Sequence, residues 1–150
     1  MTAYESKSTG WWLFGIAGFL VVLGLVLAVI FAIGARPEAL IGVALVALGL
    51  LVANFGVLTV RVTGAVVSWH FGRGPIGWTV PLERVVGVEA RRSPWYWGWG
   101  IRWTTHGWLW RAHGLDAVWI ELDSGRSVGV GTQDPDGLVR ALRRAVESRP

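Results

Sequence analysis

The feature that most constrains this chain is an uncharged run from Trp11 to Ile33, 23 residues long. As a helix rising 1.5 Å per residue it would measure about 35 Å, enough to cross a hydrocarbon core of about 30 Å with some tilt. The run is too long for the apolar region of a cleaved signal peptide, and no small-x-small site ends it, so it is expected to be retained. A polar break, Gly34-Ala35-Arg36-Pro37-Glu38, follows, and Pro37 suits the first turn of a new helix. A second apolar run starts at Ala39 and ends between Phe55 and Val60, where Val57-Leu58-Thr59-Val60 reads equally as helix end or strand start. The expected organisation is an N-terminal tail over 1–10, a transmembrane helical hairpin over 11–56 (helices about 11–33 and 38–56), and a separate domain over 57–150.

Small residues recur along both runs: Gly24, Ala28 and Ala32 in the first, Gly42, Gly49, Ala53 and Gly56 in the second. In lipid such stripes let helix backbones approach closely. They serve either packing of the two helices on each other or self-association into a homo-oligomer, and Asn54 is placed to hydrogen-bond across either interface. Trp11 and Trp12 open the first run where an interfacial aromatic belt would sit. Lys7 precedes the hairpin, and Arg61, Arg73, Arg84, Arg91 and Arg92 follow it, whereas the loop holds Arg36 beside Glu38. The positive-inside bias therefore places both termini and the β domain in the cytoplasm, on a multi-pass protein of the cell membrane.

Hydrophobic residues make up 53% of the chain, and the excess over a soluble domain sits before residue 61. There is no cysteine, hence no disulfide framework and no thiolate chemistry. The net charge is +4 and nearly all the basic charge is arginine, Lys7 being the one lysine. Codon bias explains that, and so does a surface that meets phosphates.

After Val57 the hydrophobic period changes from 3.6 to 2. Leu58, Val60 and Val62 alternate with polar residues, a Thr63-Gly64 turn follows, and Val67, Trp69 and Phe71 alternate in turn. Further strands are expected around Trp78–Val80, Val86–Ala90 and Trp99–Trp103, and a hairpin joins Val118–Leu122 to Val128–Val130 through Asp123-Ser124-Gly125-Arg126. The pattern then becomes helical over about 134–147. Asp134 is the expected N-cap, Pro135 the first helical residue, Leu138, Ala141, Leu142, Ala145 and Val146 the apolar stripe, and Arg140, Arg143, Arg144 and Arg149 the polar face. The fold class is thus an α+β membrane protein, with about seven strands closed by a C-terminal helix.

An ordered set of short segments carries a resemblance: Val60-Arg61-Val62, Phe71-Gly72, Val80-Pro81-Leu82-Glu83-Arg84-Val85, Gly98-Trp99-Gly100-Ile101-Arg102, Gly107-Trp108, Gly114-Leu115-Asp116-Ala117-Val118 and Gly131-Thr132-Gln133-Asp134-Pro135. Residues 57–150 resemble the bacterial membrane-anchored PH-like (pleckstrin-homology-like) domain proteins of uncharacterised function. The resemblance implies a PH-like β-barrel or sandwich in a membrane context, and it implies no ligand and no reaction.

The chemistry-bearing motifs are few. His70 shares a strand face with Ser68, and His106 and His113 flank Gly107–Ala112, read as a hairpin tip. No HExxH, CxxC, G-x-S-x-G or phosphate-binding glycine loop occurs, so no enzyme, metal or cofactor is expected. The most unusual stretch is Arg91-Arg92-Ser93-Pro94-Trp95-Tyr96-Trp97-Gly98-Trp99-Gly100-Ile101-Arg102-Trp103. Its tryptophans fall on odd positions and would share one face of an extended chain. They would fill or cap the core, anchor in the headgroup layer with the arginines on lipid phosphates, or form a protein hot spot. The candidate binding residues are Arg91, Arg92, Trp95, Tyr96, Trp97 and Arg102. The expected function is a non-enzymatic membrane-tethered module that recognises a partner protein or peptide. The alternatives are anionic lipid headgroups as ligand, or a scaffold role in a larger membrane complex; nucleic acid is not expected.

Overall fold

A computed structural model describes residues 2–34 and 36–148; Met1, Ala35, Arg149 and Pro150 lie outside the described residues. The chain divides into two compact units, a helical one over residues 10–56 and a β unit that joins the N-terminal residues to 57 onward.

In the helical unit, α1 (Trp11–Ile33) and α2 (Ala39–Asn54) lie against each other. The contact is made where side chains are absent. A Cβ on Gly24 would come within 2.6 Å of the Gly42 carbonyl oxygen, and one on Gly49 within 2.9 Å of the Ala17 carbonyl oxygen. A Cβ on Gly42 would collide with the backbone nitrogen of Ala28. Gly24, Gly42, Gly49 and Ala17 are buried, whereas Ala32 is exposed and takes no part, and Ala53 is half-buried. α2 stops short of the expected residue 56 because Phe55 and Gly56 turn back onto the Val52 and Ala53 carbonyls. The Gly10 N–H donates to the Gly56 carbonyl at 2.8 Å, so the unit's two ends meet. Among the described residues α1 alone is long and apolar enough to cross a membrane; α2 is apolar but shorter.

Among the described residues the β unit holds nine strands rather than about seven. β1 (Thr2–Thr9), β2 (Val57–Thr63), β3 (Val66–Phe71) and β4 (Ile76–Pro81) form one antiparallel sheet in chain order. The second sheet runs β5 (Val85–Arg92), β8 (Asp116–Leu122), β9 (Ser127–Gly131), β7 (Gly107–Arg111), β6 (Gly100–Thr104). It is antiparallel except where β7 lies parallel to β9. The two additional strands are β1 and β7.

β1 corrects the reading of residues 1–10 as a tail. It pairs with β2 from Thr2↔Thr63 to Thr9↔Val57. Its inward positions, Tyr4, Ser6 and Ser8, are polar, so it lacks the apolar alternation that marks a strand. The helical unit is therefore an insertion between two paired strands. β7 likewise corrects the reading of Gly107–Ala112 as a hairpin tip: the turn is at Thr105-His106, and Trp108 to Trp110 pair with Val128 to Val130.

Leu58, Val60, Val62, Val67, Trp69 and Phe71 from the first sheet meet Val118, Ile120, Val128, Val130 and Trp110 from the second in the core. Trp110 stacks on Phe71 at 5.9 Å between centroids and meets Trp69 edge-on at 6.2 Å. α3 (Pro135–Glu147) packs on β1, β2, β5 and β8 through buried Leu138, Leu142 and Ala145. Asp134 caps it as expected, its Oδ1 accepting the Gly137 N–H at 2.9 Å.

Candidate functional site

The aromatic–basic segment does not run extended. Trp95–Trp97 is a 3-10 turn, and Gly98 and Gly100 have positive φ, 68° and 89°, which side-chain-bearing residues rarely adopt. The same-face argument therefore fails for these tryptophans. Trp97 turns inward and packs on Leu109, Ala117 and Trp119, while Trp95 and Tyr96 stand 74% and 67% exposed. Tyr96, Trp97 and Arg102 border one shallow depression. Arg91 instead pairs with Glu89 at 2.9 Å, and Arg92 lies outside that depression, so the six candidates are not one cluster.

A buried arginine clamps the segment. Arg111 is wholly enclosed (0% exposed), and its Nε donates to the Gly98 carbonyl at 2.9 Å with an Nη donating to the same oxygen. No carboxylate faces it among the described ion pairs, and burial pushes its guanidinium below the usual arginine range.

A more enclosed concavity lies elsewhere in the β unit. A cleft of about 350 Å³ is bordered by Trp78–Pro81 of β4, by Trp103 and Trp108 of the β6–β7 hairpin, and by the β8–β9 turn with Arg126. Trp78 and Trp103 are 54% and 68% exposed, and Trp103 meets Trp108 edge-on at 5.2 Å. Arg84, Arg126 and His106 also border the cleft, and among the described residues no Asp or Glu does. Arg84 is engaged by Asp123 at 3.1 Å; Arg126 has no ion pair among the described residues.

Sequence reasoning missed this cleft. The sequence puts Trp78 and Val80 on one strand face; Val80 is buried, whereas Trp78 stands exposed on an edge strand. The available signal was the count of tryptophans after residue 56, nine of the 11 in the chain, more than a core this small encloses. Among the described residues no group of three or more His, Asp or Glu is placed to hold a metal ion. Comparison with protein-family models and with curated proteins returns no match.

Proposed function

We propose that the chain is a non-enzymatic, membrane-tethered module that binds a partner protein or peptide through the Trp-lined cleft. The observation that carries this reading is the cleft itself: exposed tryptophans and unneutralised arginine, the residue types that dominate protein hot spots, border one concavity. α3 packs on β1, β2, β5 and β8, which leaves the edges β4 and β6 for a partner. The tether is the helical unit. Its ends meet at Gly10 and Gly56 and continue into paired strands, so a hairpin that crosses the bilayer and returns would leave both β segments on one side. The arginine-rich β segments then favour the cytoplasmic side of a multi-pass cell-membrane protein. Two sheets and a C-terminal helix support a PH-like fold class, with the β6–β7 hairpin as an addition at the β9 edge.

The test is in-cell photo-cross-linking of the full-length protein with a benzophenone side chain at Trp103, and at Glu147 as control. The module reading expects a specific adduct from position 103 alone, diminished by Trp78→Ala. Identical adducts from both positions would sink it.

A second reading draws on the outward display of Trp95 and Tyr96. Anionic lipid headgroups would be contacted there, with Arg92 and Arg102 supplying charge at about 1 kcal/mol each. A scaffold role in a larger complex is less supported, because Gly24, Gly42 and Gly49 are already used between α1 and α2.

A further inference from the structure

This inference rests on the binding-module reading and names the ligand class. Four consecutive residues of β4, Trp78 to Pro81, border the cleft. Side chains of a strand alternate between faces, so four in a row meet one cavity only if the cavity runs along the strand's backbone edge. Among the described residues that edge is unpaired, since β4 ends its sheet.

The direction of its hydrogen-bonding groups follows from β3. The Val66 N–H and carbonyl are both bonded to the Thr63 hydroxyl, and the Gly72 N–H donates to the Val57 carbonyl. Residues 66, 68, 70 and 72 therefore point toward β2, and 67, 69 and 71 toward β4. Their partners Val80, Trp78 and Ile76 are bonded inward, which leaves the N–H and carbonyl groups of Gly77 and Thr79 directed outward. Pro81, opposite Val66, has no N–H to present. The edge thus offers a short backbone ladder centred on Thr79, beside exposed Trp78 and across from Trp103 and Trp108.

We infer that the cleft binds an extended acidic peptide segment, which adds as a strand to the free edge of β4. Backbone bonds at Thr79 supply a ladder, the tryptophans receive alternate apolar side chains, and Arg126, with no carboxylate bordering the cleft, selects for negative charge.

The experiment uses the full-length protein in phosphatidylcholine nanodiscs and a labelled short peptide of alternating Glu and Val with one central Phe, read by fluorescence anisotropy. Its Lys/Val counterpart is the control. The Glu peptide should bind about tenfold tighter than the Lys peptide, and Arg126→Glu should abolish that preference. Thr79→Pro removes only an outward N–H on an edge strand, so it should keep the melting temperature and weaken binding by about tenfold. Independently, exchange of the Thr79 amide in the unmodified protein should slow by about tenfold at peptide saturation, which decides the matter even if the proline variant misfolds. Equal binding of the two peptides, no binding, or an unprotected Thr79 amide overturns the inference, as does displacement of the peptide by phosphatidylglycerol nanodiscs. If any of these occurs while position 103 still captures a protein in cells, the ligand class falls and the module reading stands.

Discussion

The Tyr4 hydroxyl donates to Oδ2 of Asp134 at 3.1 Å, the carboxylate whose other oxygen caps α3. One side chain thus fastens β1 and starts the C-terminal helix, across 130 residues of sequence. Asp134→Ala is expected to cost about 1 kcal/mol as a lost cap and to speed amide exchange in β1 as well as α3. Tyr4→Phe should speed exchange in β1 alone, and a double-mutant cycle read by thermal unfolding should give a nonzero coupling between the two positions.

Tyr4 also sets an alkaline limit. Burial, with the neighbouring Asp134 carboxylate adding to it, holds its phenol above the ordinary 10.0. A folded-state value above the unfolded one means that the contribution is complete below pH 10.0 and is lost as pH rises through the raised value. The melting temperature should therefore fall more steeply above that pH in the unmodified protein than in Tyr4→Phe.

The acid limit comes from the next residue. The Arg61 guanidinium, at 2.9 Å and directly across the β1–β2 pair, holds the Glu5 carboxyl below its ordinary 4.5. Here the folded-state value is depressed, so the contribution is present above pH 4.5 and is lost as pH falls through the lower value. Amide exchange in β1, corrected for its intrinsic pH dependence, should rise over that window, and Glu5→Gln should flatten the response. Because the pair is solvent-exposed, added salt should weaken the effect.

Arg111 and the Gly98 carbonyl make the next test. Arg111→Met keeps much of the apolar stem but leaves the half-buried Gly98 carbonyl without its donors, a cost on the order of 1 kcal/mol. The segment over residues 95–99 should loosen, and Trp97 should leave Leu109, Ala117 and Trp119. Tryptophan emission should shift to the red, most clearly when compared with the same change in a Trp97→Phe background. An unchanged spectrum and melting temperature would contradict the clamp.

The parts legible in the sequence are those whose signal is local. The apolar length of α1, the Asp134-Pro135 start of α3 and the β8–β9 hairpin each follow from a few adjacent residues. β1 was not legible, because its inward residues are polar and its partner strand lies far off; Glu5 and Arg61 are 56 positions apart. The aromatic segment misled because an odd–even argument presumes extended backbone, and Gly98 and Gly100 break it with positive φ. Arg91 and Arg92 failed to join Arg102 because β5 and β6 stand at opposite edges of the second sheet. The cleft needed tertiary knowledge: that β4 and β6 are edge strands is a property of the sheets and of no single segment.

Gly42 offers the sharpest test of the helical unit. A side chain there has nowhere to go, since its first carbon would already lie 2.5 Å from the Gly24 carbonyl oxygen and collide with the Ala28 backbone. The neighbours are main chain, which cannot rotate away as a side chain would. Gly42→Leu should therefore force α1 and α2 apart, at the upper end of the roughly 1–3 kcal/mol that overpacking costs. Ala32→Leu places the same bulk on an exposed position of α1 and should cost almost nothing. Amide exchange across residues 17–49, measured on both variants in nanodiscs, should accelerate only for Gly42→Leu. Equal behaviour of the two variants would mean that the helices do not depend on this approach, and the small-residue stripes would then be free to serve self-association.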